Sequence, residues 1–365
     1  MVAFRAVRPA DSLRFIDFST IVLLFSMMLL VAYLHLDGFF DWVAEWITAR
    51  VKPRHLLPAI IFLSGTFSAF FVNDIICLIM VPFTLKVARR MGLPPLPYLL
   101  AVATASNIGS VATITGNPQN MLIGSYSGMR YSRFLFHLGP VAVVGLLVDW
   151  LMLWLIYTRH EISAPAPVDP LVTEPSSRGA LLKAGIVILL VLAGFLAGLP
   201  PALVAAVGAA IMLMTRRHEP RQVYDEVDWG LLVFFVGLFV IVGGAENVGL
   251  TTRLIEIGDR WNLEQAHTLT IVAAALSNIV SNVPAVMLLK SVVPRFANPQ
   301  QGWLVLAMAS TLAGNLTITG SVANIIVVER AKPEVNITFG QYLRAGVPIT
   351  LITLVFGWAW LLWFS

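Results

Sequence analysis

Long uncharged runs alternate with short polar segments along the chain. Residues 18–36 form one such run, 55–86 carries only Asp74 ahead of its closing Lys86, 91–129 carries no charge, and 134–158 carries only Asp149. Further runs cover 184–215, 229–245, 265–289, 296–328 and 345–365. About 20 apolar residues cross a bilayer as an α-helix, so the pattern predicts an all-α polytopic membrane protein. Strands of a membrane barrel would alternate over about 10 residues, and these runs do not. Residues 39–49 place Phe39, Phe40, Val43, Trp46 and Ile47 on one helical face with Asp41 and Glu45 elsewhere. That arrangement predicts an amphipathic helix lying in the interface, and 250–257 reads as a second.

Two kinds of run are not plain spans. Residues 91–129 gather Ser106, Asn107, Ser110, Thr113, Thr115, Asn117, Gln119 and Asn120 in their middle, together with Gly109, Gly116 and Pro118. Irregular backbone at membrane depth survives only when buried in protein or lining a cavity, so 97–127 reads as a discontinuous helix, and 301–328 as another. Residues 56–88 and 266–296 are each too short for two spans, which need about 40 residues. Each has a polar break, at Val72-Asn73-Asp74 or at Ser281-Asn282-Val283-Pro284. Both predict re-entrant hairpins that enter and leave on one side.

The chain also resembles itself. At an offset of 204, residues 100–120 align with 304–324, with identities at Leu100/Leu304, Ala103/Ala307, Ala105/Ala309, Ser106/Ser310, Thr113/Thr317, Ile114/Ile318, Thr115/Thr319, Gly116/Gly320 and Asn120/Asn324. Apolar matching alone does not produce the shared TITGxxxN. At an offset of 209, Ser68 meets Ser277, Asn73 meets Asn282 and Asp37 meets Glu246. The expected organisation is repeat 1 over 1–160, a Pro-, Ser- and acid-rich linker over 161–179, two linking scaffold helices over 180–226 split at Gly198-Leu199-Pro200-Pro201, and repeat 2 over 227–365. Three crossings in the first repeat and two in the linking helices make an odd number, so the repeats are expected to have inverted topology. Inverted repeats with discontinuous helices mark secondary transporters. The loops around 50–54, 86–90, 159–183, 216–221 and 330–344 hold most of the basic residues, which puts that side in the cytoplasm and both termini outside.

Composition narrows the classes further. The chain is 58% hydrophobic and 12% charged, with mean hydropathy +0.82; soluble domains are about 25% charged. Its net charge of +4 lies in the gaps between runs, so it reads as a topology signal rather than a nucleic-acid surface. The single Cys77 precludes an internal disulfide. No small-residue cleavage site follows 18–36, so no signal peptide is expected. HExxH, GxSxG and Walker motifs are absent, and neither an enzymatic activity nor a bound cofactor is expected.

The candidate site is where hairpin tips and helix breaks meet. The first set is Ser68, Asn73, Asp74, Thr113, Thr115, Gly116, Asn117 and Asn120; its twin is Ser277, Ser281, Asn282, Thr317, Thr319, Gly320, Ser321 and Asn324. Half-helix N-termini receive anions, while freed carbonyls and short oxygen-bearing side chains coordinate Na⁺; Ser68, Asn73 and Asp74 are the expected Na⁺ ligands. Any one of these residues could equally tie helices together in the bilayer; the duplication of the whole set argues for a site. A carboxylate at membrane depth costs about 2.5–3.5 kcal/mol on insertion scales, which makes Asp74, and after it Asp149, candidates for proton coupling. Position 283 is Val, so the second tip has no acid.

The segments FVNDIICLIMVPF (71–83), SNIGSVATITGNPQNMLIG (106–124), FFVGLFVIVGGAENVGL (234–250), SNIVSNVPAVMLL (277–289) and TLAGNLTITGSVAN (311–324) resemble the ion-transporter superfamily of arsenite permeases, Na⁺/H⁺ antiporters, and citrate and divalent-anion symporters. The resemblance implies a scaffold region and a transport region in a homodimer within the lipid bilayer of the bacterial inner membrane, moving cargo by an elevator-type shift. In the divalent-anion branch the tips read Ser-Asn-Thr; here they read Val72-Asn73-Asp74 and Ser281-Asn282-Val283, closer to the arsenite-permease and antiporter branch. Family members are usually longer at the N-terminus, so two or more scaffold helices are expected to be missing from this chain. The resulting expectation is a cation-coupled permease for a small anion or oxyanion, with Na⁺ or H⁺ as coupling ion. The alternatives are a Na⁺/H⁺ antiporter, an arsenite efflux permease recognising hydroxyls rather than thiols, and a passive pore.

Overall fold

The computed structural model describes residues 9–158, 178–214, 217–249, 256, 258 and 260–364. Among the described residues the ordered elements are helices, with no strand. The polar linker up to residue 177 and most of the segment 250–257 lie outside them.

Among the described residues, five helices are long and apolar enough to cross a membrane: Phe18–Leu36, Tyr131–Tyr157, Gly179–Leu196, Trp229–Asn247 and Phe339–Trp363. Short polar side chains start two of them. Asp17 accepts from the Thr20 N–H at 2.9 Å, and Asp228 from the Leu231 N–H at 2.8 Å, satisfying donors that a helix start leaves open. The shorter Pro201–Met214 packs on Phe18–Leu36 and Arg178–Leu196. A Cβ at Gly208 would fall 2.4 Å from Val191.

The helix Phe39–Arg50 packs through part of the expected apolar face, with Trp46 left outside it. Phe40, Val43, Ala44 and Ile47 are buried, while Trp46 is 46% exposed beside Trp42. The Arg50 guanidinium lies 5.6 Å from the centre of the Trp46 ring, a cation–π contact that suits an indole at a membrane interface.

Each half then supplies a helix pair and an interrupted helix. The first pair is Leu56–Phe70 and Asn73–Arg90, broken at Phe71-Val72. The second is Ala266–Val280 and Asn282–Leu289, broken at Ser281 alone. The interrupted helices are Leu96–Ser110 with Pro118–Ser127, and Pro299–Leu312 with Val322–Ala331. Two 3-10 turns, Ala313–Asn315 and Ile318–Gly320, bridge the second interruption.

Leu96–Ser110 is the axis of the molecule, buried from Pro97 to Ser110. It packs against Leu56–Phe70 so closely that a Cβ at Gly109 would lie 2.0 Å from the Gly65 carbonyl oxygen. Small residues permit such backbone contact between membrane helices. The long helices Tyr131–Leu153 and Phe339–Phe364 cover this core together, and Trp360 Nε1 donates to the His137 carbonyl at 2.9 Å.

Ion pairs tie the ends. From its place at a helix end Asp37 reads as a solvated or interfacial acid, but it is buried, with His218 Nε2 at 2.8 Å and Arg217 at 3.9 Å. Its twin Glu246 pairs with Lys290 at 2.9 Å. Glu226, in the polar turn before Trp229, pairs with His35 at 2.9 Å, and this hydrogen bond holds its carboxyl below the usual glutamate value.

Candidate functional site

Four helix starts meet at one crevice. Asn73 and Asp74, Pro118 and Gln119, Ser281 to Val283, and Ser321 and Val322 line it. Leu231, Phe234 and Phe235 of Trp229–Asn247 close one side. A helix start carries unpaired N–H groups and the positive end of the helix dipole. Asn117 caps its own helix by accepting from the Asn120 N–H at 2.8 Å. Val72, Ser281 and Ser321 make no side-chain cap bond; at these starts the Asn73 N–H is taken by the Gly116 carbonyl, and the other first-turn N–H groups have no side-chain cap.

Ser281 has φ +75° and ψ 162°. A residue other than glycine held there costs about 1–3 kcal/mol. This turn lets one helix end and the next begin with Ser281 as the single intervening residue. The strain therefore sits on the crevice wall.

Asp74 is 6% exposed, lines the crevice, and has no ion-pair partner within 4 Å among the described residues. Among the described residues no Lys, Arg or His lines the crevice. The site thus combines one carboxylate with four positive helix ends and no cationic side chain.

The duplicated TITGxxxN motif braces the interruptions. Asn120 Nδ2 donates to the carbonyls of Ser110 and Thr113, both at 3.0 Å. Asn324 Nδ2 donates at the corresponding places, to Gly314 at 2.7 Å and Thr317 at 3.0 Å. Each amide spans a break and satisfies carbonyls that the lost helix turns leave open. Thr113 donates to the Ala69 carbonyl, and Thr115 hydrogen-bonds to the Tyr131 hydroxyl at 2.9 Å and the Phe70 carbonyl at 3.3 Å. Thr317 donates to Asn278 Oδ1 at 3.1 Å, while Thr319 is exposed next to it at 3.3 Å. The Gly116 carbonyl accepts from the Asn73 N–H at 2.9 Å. A Cβ at Gly116 would lie 2.2 Å from the Ser110 carbonyl oxygen, and one at Gly320 2.6 Å from Asn278 Oδ1.

Of the residues singled out in the sequence, Asn73, Asp74, Ser281, Asn282 and Ser321 line the crevice. Ser68, Thr113, Thr115, Gly116, Asn117, Asn120, Ser277, Thr317, Thr319, Gly320 and Asn324 stand behind or beside it. Some of these have open oxygens: Ser68 Oγ, Ser277 Oγ and Asn120 Oδ1 are buried without a hydrogen-bond partner, as is Asn73 Oδ1. A buried unpartnered oxygen costs about 1–3 kcal/mol, and a hard cation is the kind of ligand that would recover it. Asp149 is elsewhere, fully buried beside Thr104, whose hydroxyl is already given to the Leu100 carbonyl at 2.9 Å. Both Asp149 oxygens therefore lack a donor.

The residue that joins the two halves is Asn107. Its Oδ1 accepts from Asn73 Nδ2 at 3.1 Å and from the Ser321 hydroxyl at 2.9 Å, and its Nδ2 donates to Asn315 and Asn324 Oδ1, each at 2.9 Å. At the corresponding place in the second half, the Thr311 hydroxyl accepts from Asn117 and Gln119, both at 3.2 Å. The 117–311 contact is thus matched by 321–107. Sequence reasoning passed over Asn107, Thr311 and Asn315 as partners; the one available signal was the density of buried amides around 106–120. No group of three or more His, Cys, Asp or Glu able to hold a metal occurs among the described residues.

Known proteins resemble this chain in fold or in sequence. The crystal structure of the Alcanivorax borkumensis YdaH transporter, titled as revealing an unusual topology, superposes with TM-score 0.64 at 15% identity, covering 97% of this chain and 87% of that one. An uncharacterized transporter of Mycobacterium tuberculosis is 31% identical over 373 residues, spanning 96% of this chain and 87% of its own. The silicon efflux transporter LSI3 of Oryza sativa is 29% identical over 439 residues, spanning 98% and 89%. Residues 1–313 match the family model described as CitMHS, citrate transporter. With most of its length matched, the chain belongs to the CitMHS citrate transporter family and is a membrane transporter.

Proposed function

We propose that the chain is a cation-coupled secondary transporter that moves a small anion or oxyanion through the crevice by an elevator-type shift. The carrying observation is the convergence of four helix starts on a crevice that also holds Asp74. Anions sit well at helix starts, and a carboxylate in the same crevice repels an anion until a cation neutralises it. That opposition is what coupling requires: cargo and coupling ion favour each other's binding. Ser68, Asn73 and Asp74 form the first cation site, with Na⁺ or H⁺ as the ion, beside the break from Thr113 to Asn120. Ser277, Ser281 and Asn282 form its counterpart beside the break from Thr317 to Asn324. Asp149 is a second place for a coupling proton. The matched 117–311 and 321–107 contacts support two inverted-topology repeats, 1–160 and 227–365, joined by the linker 161–179 and the scaffold helices 180–226. In the bacterial inner membrane the carrier works as a homodimer.

One observation favours a second reading of the cargo. No cationic side chain lines the crevice, and helix ends supply only partial charges of about half a unit each. Such a site suits a weakly charged oxyanion or its neutral hydroxylated acid better than a tricarboxylate. The similarity to a silicon efflux transporter supports efflux of a neutral oxyacid against a proton carried on Asp74.

Purified protein in liposomes with a pH-sensitive dye separates these readings. A Na⁺ or pH gradient is imposed alone, then with citrate, arsenite or silicic acid. Flux that requires one cargo, and disappears in Asp74→Asn, supports coupled transport of that cargo. Proton movement with Na⁺ alone makes the chain an antiporter, and flux indifferent to any gradient makes it a pore.

A further inference from the structure

The far end of the first hairpin carries chemistry that transport through the crevice does not use. Where Asn73–Arg90 lies along Val322–Ala331, a cavity of about 480 Å³ opens to the surface. Lys86, Arg89, Arg90 and Arg330 line it, against a single acid, Glu334. Arg89 pairs with Glu334, and Lys86 pairs with Asp41 at 2.9 Å. Arg90 and Arg330 make no ion pair within 4 Å among the described residues; Arg330 acts on Glu226 only through space.

Cations gathered around one cavity repel each other. They also stand at helix C-terminal ends, where positive charge is favourable, so the cluster is tolerated without an internal counter-ion. Guanidinium forks match phosphate oxygens in pairs, and a lysine beside them adds a point charge. The cavity is wide enough for a group with several charged oxygens. Its lining on this helix runs from Val81 to Arg90, about 10 to 24 Å along the helix from Asp74, and it shares no lining residue with the crevice.

We propose that this cavity binds a phosphate-bearing anion that clamps Asn73–Arg90, from the first half, to Val322–Ala331, from the second. The phosphate has two sources, a soluble polyphosphate or an anionic lipid headgroup, and both present the same oxygens to the same arginines. Bound there, it holds together the two arms that begin at the crevice, and so regulates the carrier from a distance.

The test uses the purified full-length chain and inorganic pyrophosphate at low ionic strength. Binding is followed by calorimetry and by the thermal unfolding midpoint. Pyrophosphate is expected to bind, to raise the midpoint, and to weaken as salt rises. Arg90→Gln with Arg330→Gln is expected to weaken binding at least tenfold, while the charge-retaining Arg90→Lys with Arg330→Lys is expected to fall between the two. Asp74→Asn is expected to bind pyrophosphate as the parent does. In nanodiscs, phosphatidylglycerol that displaces pyrophosphate, where phosphatidylcholine does not, names the headgroup as the source; no displacement names the soluble anion. Absence of both pyrophosphate binding and a phosphatidylglycerol preference overturns the site, as does binding that the glutamine pair leaves unchanged.

Discussion

Asp74 and Asn107 divide the work of the crevice between charge and shape. Asp74 is unpaired and lines the crevice, so Asp74→Asn is expected to abolish gradient-driven flux in liposomes while the protein still elutes as a single species. Asn107 makes four hydrogen bonds with both halves. Asn107→Ala strands several buried partners at about 1–3 kcal/mol each, and a fall of the unfolding midpoint is expected along with slower transport. Asn107→Asp keeps the size but cannot donate to Asn315 and Asn324, so it is not expected to rescue. Asp74 was legible in the sequence because an isolated acid in an uncharged run has few explanations. Asn107 was not, because its counterpart is Thr311 and a search for identities passes over a pair that differs. Thr113 and Thr115 illustrate a third case. A threonine that binds cargo and one that holds a neighbouring carbonyl leave the same mark in a sequence, and here both hydroxyls meet carbonyls of Leu56–Phe70.

The interrupted helices owe their shape to two amides. Asn120 and Asn324 each span a break, so Asn120→Ala or Asn324→Ala leaves two carbonyls open. Either change is expected to cost about 1–3 kcal/mol and to increase hydrogen exchange around 111–117 or 313–321, measured by mass spectrometry on the reconstituted protein. The breaks were readable because glycine, proline and short polar residues crowd where an apolar helix has no use for them. The exposure of Trp46 in Phe39–Arg50 was not, because Trp46 counts as apolar in any periodicity yet rests at the surface against Arg50. Close approach was equally hidden. Only the fold reveals that Gly109 meets the Gly65 backbone; Gly109→Ala forces the two helices apart and is expected to lower stability by about 1–3 kcal/mol, read as a drop in the unfolding midpoint.

Contacts distant in the chain fasten the whole. The Glu226–His35 pair joins the turn before Trp229–Asn247 to the end of Phe18–Leu36. Because the bond lowers the Glu226 carboxyl below its ordinary 4.5, its contribution is complete above that pH and is lost as the pH falls through the lowered value. The midpoints of the parent and of Glu226→Gln are therefore expected to differ at neutral pH and to converge on acidification. The all-helical character and the placing of the long spans could be read from hydropathy alone, since spans announce themselves by length. How the spans pack could not, because lipid-facing and protein-facing apolar residues look alike.

The two hairpin tips share Asn73 and Asn282, but only the first holds an acid, Asp74, where the second has Val283. If the proposed elevator shift carries a neutral cargo and one monovalent cation together, the moving part has no net charge when loaded and one negative charge, on Asp74, when empty. Membrane voltage then acts on the return stroke alone, at about 2.3 kcal/mol per 100 mV for a full traverse. An inside-negative potential pulls the empty carrier toward the outer face, so steady turnover draws an electrical current whose sign reports the direction of the cycle.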